Sequence, residues 1–313
     1  MKTKRYKLRI SGLRENEGQI KSAVLQRVLD ALTKTSERAT RLQATGEGSA
    51  KGPKPKWLDA SLDFTITGLE AGSTVLGIEA PLLAETAYEE FAQQEFWHDQ
   101  PSLDDTALDL AAYAIQEAGD ANSAGDRFDS GVLDAILKFR KAARTSGIRY
   151  ELTSEGSAHG QFTLDERVCA QVNERMKKIP APKAFIVSGR LDEIKHGGGR
   201  FRLLIDSDSQ LLGRLRPDSL DAEVLRPLWG KPSTVEGMVH FKANGQPRLI
   251  EAYRMSVCVE GDDVFKEMPS VGKAEVQGLA VAQGMRLRSA DPMELAGAWP
   301  GDEPIDELLA QLD

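Results

Sequence analysis

The sequence predicts an α+β protein with an OB-like small β-barrel in its C-terminal part. Three observations point there. An alternating strand and a long amphipathic helix open the chain. A helical stretch fills its middle. Between residues 181 and 262 run three strands, a helical turn and two further strands, the element order of an OB-fold.

In the opening strand, "YKLRISGL", Tyr6, Leu8 and Ile10 face one side and Lys7 and Arg9 the other, a half-buried pattern. In the helix that follows, Ile20, Val24, Val28 and Leu32 recur every fourth residue. Leu25 and Leu29 widen the stripe, and Gly46 and Gly48 end it. "GSAKGPKPKW" is a basic Gly/Pro connector, and "LDFTITGLEAGSTVLGIEAP" reads as two strands around a turn. These elements predict an α+β domain over 1–101.

A helical segment is expected over 102–180. "SLDDTALDLAAYAIQEAG" opens with Ser102 and Asp105 in capping-box-like spacing. "SGVLDAILKFRKAARTSG" is a second helix, "GIRYELTSEG" a strand, and "TLDERVCAQVNERMKKIP" a third helix stopped by Pro180. In the β domain, 181–262, Phe201, Leu203 and Ile205 share one face. Gly189, Gly213 and Gly237 interrupt strands where a tightly curved barrel bends. A linker over 263–298 and a tail over 299–313 complete the expected organisation.

With 313 residues the chain is too long for one small core. No apolar run approaches the ~20 residues of a membrane span, so no membrane partner is expected. "MKTKRYKLRISGL" lacks the apolar stretch of a signal peptide, and the two cysteines have no metal-like spacing. A reduced, cytoplasmic setting is the expectation. A net charge of -8 argues against strong attraction of nucleic acid by the chain as a whole.

The chain offers little catalytic chemistry. Its four histidines lie in different segments without metal-ligand spacing. "HGGGR" resembles an esterase oxyanion loop, but no G-x-S-x-G elbow accompanies it, and "VGKAEV" lacks the features of a phosphate loop. Asp104, Asp105 and Asp109 fit helix capping better than an active or metal site. No catalytic residue, metal or cofactor is expected. The β domain carries Arg200, Arg202, Arg214, Arg216 and Lys242 as candidates for a nucleic-acid face. Alternation turns Arg200 and Arg202 away from Phe201, which separates basic from aromatic side chains. The basic stretch Arg38–Lys56 reads as a solvated helix end and loop.

Residues 299–313 carry the sharpest signal. Ile305, Leu308, Leu309 and Leu312 fall at i, i+3, i+4 and i+7. Pro304 suits a first helical turn, and Asp302, Glu303, Asp306 and Glu307 favour a helix N-terminus. Helices below ~12–15 residues are marginal unless docked. Burying four aliphatic side chains contributes on the order of 6–10 kcal/mol before ordering costs, and Trp299 adds a flat anchor. The receptor is either this protein's own body, alone or as a homo-oligomer, or a separate protein with an apolar groove rimmed by Lys or Arg.

"WPGDEPIDELLAQL" resembles the W-x-G-[DN]-E tails of small bacterial proteins encoded beside PIN-domain toxins. "RATRLQATGEGSAKGPKPKWL", "LDFTITGLEAGSTVLGIEAP" and "VSGRLDEIKHGGGRFRLLID" resemble an uncharacterised bacterial family found in that setting. The resemblance implies a non-enzymatic, antitoxin-like partner of a PIN-type ribonuclease toxin. It points to Trp299, Gly301, Asp302, Glu303, Glu307, Leu308 and Leu309 as partner-binding residues, to which the apolar stripe adds Ile305 and Leu312. No helix-turn-helix signal accompanies it. A nucleic-acid-binding component of a phage-defence system, acting through the OB-like domain, is the alternative.

Overall fold

The computed structural model describes residues 2–13, 19–49, 53–69, 74–92, 101–143, 147–155, 159–195, 199–206, 209–216, 220, 223 and 225–272. They form an N-terminal lobe and a closed β-barrel.

The lobe is built on a five-stranded sheet. β1 (Thr3–Ser11) lies at its centre, followed by α1 (Ser22–Thr45), α2 (Lys56–Ser61), β2 (Thr65–Leu69) and β3 (Val75–Pro81). The single-turn helices α3 (Leu83–Thr86) and α4 (Tyr88–Phe91) lead to α5 (Ala107–Gly119) and α6 (Ser130–Ala142). β4 (Arg149–Ser154), β5 (Phe162–Leu164) and α7 (Glu166–Lys178) complete the lobe. The strand order is β2-β3-β1-β4-β5, with every pairing antiparallel. Tyr6, Leu8 and Ile10 point into the core, as the alternation requires, and α1 ends on Gly46, whose left-handed backbone (φ 80°) places its N–H 2.7 Å from the Leu42 carbonyl.

The predicted boundary near residue 101 does not separate two cores. Leu8 on β1 is in register with Leu76 on β3 and Leu152 on β4. One apolar cluster runs from Tyr6 through Leu32 and Ile115 to Phe139 and Val172. The middle segment therefore supplies both helices and strands to the first sheet. β5 was missed because three residues are too few for periodicity to register. The first middle helix also starts one turn later than predicted. Thr106 caps it and Asp109 completes the capping box, while Ser102 and Asp105 form a separate turn before it. That turn is fixed against the chain after β3, where Leu83 N–H donates to the Asp105 carbonyl at 2.8 Å.

The barrel comprises β6 (Lys183–Lys195), β7 (Arg200–Leu204), β8 (Gln210–Leu215), β9 (Pro232–Phe241) and β10 (Pro247–Val257). β6 pairs with β7 and β9, β7 with β8, and β10 with β9, all antiparallel; β8 pairs with β10 in parallel, closing the barrel. This is the OB-like order the sequence predicted. Phe201 is fully buried with Phe185, Leu203 and Ile250. It stands opposite Gly213 across the β7–β8 pair, and any Cβ there would enter the Phe201 ring. The expected linker begins later than residue 263. Asp262–Phe265 form a 3-10 turn, and Met268 and Val271 pack against the barrel core. Among the described residues, no helix is long and apolar enough to cross a membrane.

Candidate functional site

The predicted partner-binding residues Trp299, Asp302, Glu303, Ile305, Glu307, Leu308, Leu309 and Leu312 lie outside the described residues. The predicted basic residues of the β domain lie within them, and most are engaged by the protein itself.

Arg200 on β7 and Arg214 on β8 stand opposite one another, both pointing out of the barrel. They face the N-terminal lobe. Arg200 forms an ion pair with Glu90 at 2.8 Å and donates to the Ala44 carbonyl. Arg214 pairs with Glu47, just beyond the α1 cap, and with Glu251 on β10 at 2.9 Å. Lys242, in the β9–β10 turn, pairs with Asp126 of the lobe. Arg202 is bound within the barrel, 2.5 Å from Glu193 and 3.5 Å from Asp192. Arg216 is exposed just past β8, and its N–H donates to the Ala252 carbonyl. The structure thus joins Arg200, Arg214 and Lys242 into one seam and leaves Arg202 and Arg216 off it.

Arg248 on β10 is in the sequence one of ten basic residues between Lys183 and Arg254 and not among the candidate site residues, yet it anchors that seam. It is buried, and donates to the carbonyls of Asp126 (2.7 Å), Phe128 (2.6 Å) and Gly125. Burial pulls its guanidinium below its ordinary pKa, opposed by Asp129, Asp126 and Glu117. The 125–128 loop is held from the other side. Glu117 accepts from the N–H groups of Gly125, Asp126 and Arg127 at 2.7–2.8 Å. The loop therefore lies between a carboxylate that takes its donors and an arginine that takes its acceptors. His240 on β9 also lines the seam, 3.8 Å from Glu251. Burial lowers its pKa most, Glu47 raises it, and Arg214 lowers it further. No arginine signal in the sequence distinguishes Arg248 from its exposed neighbours, because the feature that matters is a loop more than 100 residues away.

A second polar cluster lies inside the N-terminal lobe. Asp109 is fully buried; it takes an ion pair from Lys4 (3.1 Å) and hydrogen bonds from the Tyr6 hydroxyl (2.7 Å) and Thr106 N–H (2.9 Å). Asp105 accepts from Ser102 N–H (2.9 Å) and the Tyr113 hydroxyl (3.1 Å). Burial, and then the Asp109 charge, raises the Asp105 pKa. Tyr6 and Tyr113 are pushed up as well, first by burial. A cavity of about 460 Å³ adjoins this cluster, lined by Lys4, Asp104, Asp105, Tyr113, Arg127 and His159 among others. Asp109 closes the helix start, as capping predicts, while Asp105 closes the turn before it rather than the helix itself. Among the described residues, no group of three His, Cys, Asp or Glu is placed to hold a metal ion.

The basic stretch between Arg38 and Lys56 is also structural where it is described. Arg38 donates to Asp134 on α6 at 2.7 Å, and Lys34, Arg41 and Lys54 gather around Glu37 at 3.1–3.9 Å.

No family model, curated protein or solved structure matches this chain. The resemblance to partners of PIN-type toxins stands on the residues quoted for it. Of the five predicted basic residues, the seam engages Arg200, Arg214 and Lys242.

Proposed function

We propose that this chain is a non-enzymatic binding protein, an antitoxin-like partner of a PIN-type ribonuclease toxin, and that segment 299–313 is the part that docks. The observation that carries the reading is the acidic, one-faced apolar stripe Ile305, Leu308, Leu309 and Leu312 beside Trp299. Acidic groups aimed at a basic nuclease cleft take the place of substrate phosphates, and the stripe supplies the apolar contact. The folded body supports the reading in one respect. Of the five residues on which the nucleic-acid alternative relied, Arg200, Arg214 and Lys242 are held by Glu90, Glu47 and Asp126.

The test is co-expression with a PIN-type ribonuclease encoded beside the gene, reading growth of the cells and co-purification. The full chain restores growth and captures the ribonuclease. A chain ending at Ala298 does neither. If the truncated chain neutralises as well as the full one, the segment is not the docking element.

A further inference from the structure

OB-type barrels hold oligonucleotides on the outer face of their second and third strands, bounded by the loops after the first and fourth strands. In this barrel those strands are β7 and β8, and the loop after the fourth strand contains Lys242. Arg200, Arg214 and Lys242 occupy that face, and the N-terminal lobe covers it. What the lobe presents is a row of oxygens: the carboxylates of Glu90, Glu47 and Asp126 and the carbonyls of Ala44, Gly125, Asp126 and Phe128. Carboxylates, like phosphates, offer arginine paired oxygens that match its fork.

The seam is polar rather than apolar. The lobe and the barrel have separate apolar clusters, and Ala243 is the barrel residue packed against the lobe's cluster. The Nε groups of Arg214 and Arg248 are buried without a protein acceptor. Polar inter-domain contacts of this kind permit relative movement, and ion pairs within them weaken with salt.

We propose that the lobe acts as a built-in competitor, masking on the barrel a face that binds the backbone of single-stranded nucleic acid. This goes beyond docking through segment 299–313 and is independent of it. Among the described residues of β7 and β8, the outward positions carry no aromatic side chain beside the arginines. Binding is therefore electrostatic, strongly salt-dependent and indifferent to base sequence.

The experiment uses the full chain and a fluorescein-labelled oligothymidylate about 15 nucleotides long, a length matched to single-strand site sizes on such barrels. The seam variant is Glu47→Gln, Glu90→Gln, Asp126→Asn. A control variant, Asp59→Asn, Glu174→Gln, Asp263→Asn, removes the same charge from exposed positions off the seam. Fluorescence anisotropy at low salt should show the seam variant binding at least about tenfold tighter than the wild type or the control. Adding Arg200→Ala and Arg214→Ala to the seam variant should return it to the wild-type level. Glu47→Gln alone, which leaves the remaining contacts in place, should move in the same direction if the triple variant fails to fold. Equal affinity of seam and control variants overturns the proposal, as does binding that survives loss of both arginines. Preference of the opened face for poly-glutamate over the oligonucleotide replaces nucleic acid with an acidic protein as the ligand.

Discussion

The guanidinium of Arg248 lies 2.6 Å from the carbonyl of Phe128, across the seam between barrel and N-terminal lobe. Neither residue belongs to a recognisable motif, yet this contact and its two neighbours at Gly125 and Asp126 tie the halves of the chain together.

Arg248→Ala removes the donor to all three carbonyls. Each buried acceptor left without a partner costs on the order of 1–3 kcal/mol. Chemical denaturation of the wild type should show one transition and that of the variant separate lobe and barrel steps, because each half keeps its own core. A single transition unchanged in midpoint would show that the seam contributes nothing to coupling.

The barrel core gives a contrast between adjacent residues. Phe201→Ala should cost about 3–5 kcal/mol, as for other buried aromatic truncations. Arg202→Ala, which removes ion pairs on the barrel surface, should cost about 1 kcal/mol or less. Gly213→Ala forces a methyl into the Phe201 ring and should cost about 1–3 kcal/mol. Denaturant midpoints check all three, and a reversed order for Phe201 and Arg202 would mean that the β7 side chains face the other way.

Asp109→Asn keeps the shape of the cap but leaves the Lys4 ammonium without its counter-charge. Lys4 is partly exposed, so the cost falls below the ~3–5 kcal/mol of breaking a fully buried pair. The neighbouring Asp105 differs, because its folded pKa is raised. Its acid form is favoured in the native state, so its contribution to stability is complete below the unfolded pKa and is lost as pH rises through the folded value. Asp105→Asn should therefore gain stability relative to wild type as pH increases. Melting temperatures at acid and neutral pH measure the change, and a variant that loses stability relative to wild type on going to neutral pH contradicts the sign.

His240 works in the opposite sense. Its folded pKa is lowered, first by burial, so its stabilising contribution is present above the unfolded value and lost as pH falls through the folded one. Acidification below about 6.5, the ordinary histidine value, should weaken the seam among Glu47, Arg214 and Glu251. His240→Gln should flatten that part of the pH–stability curve. An identical curve for the variant would place the acid sensitivity elsewhere.

The sequence reveals local patterns well. Tyr6, Leu8 and Ile10 announce β1, and the element order announces the barrel. Arg200 and Arg202 are correctly turned outward by alternation alone. What periodicity cannot carry is the identity of the neighbour. The pairing of Leu8 with Leu152, which merges the middle segment with the first sheet, joins distant parts of the chain and leaves no trace in spacing. The same holds for Arg200 and Glu90: facing is a local property, and occupancy of the face is not. Asp109 is legible in the sequence only as one of three acidic residues near a helix start; its pairing with Thr106 and its grip on Lys4 and Tyr6 depend on where the helix begins and on sheet placement.

The central claim, docking through segment 299–313, is tested most directly by the affinity of purified protein for a PIN-type ribonuclease, the partner class proposed above. The full chain, a chain ending at Ala298, and Leu308→Asp should be compared in calorimetric titrations, with melting temperature recorded for each. The account predicts tight binding by the full chain and none by either variant. It also predicts closely similar melting temperatures for all three, since a segment that docks on another protein supports nothing in its own body. Retained binding by the truncated chain, or a melting temperature lowered by several degrees, would contradict it and make the stripe a structural part of this protein.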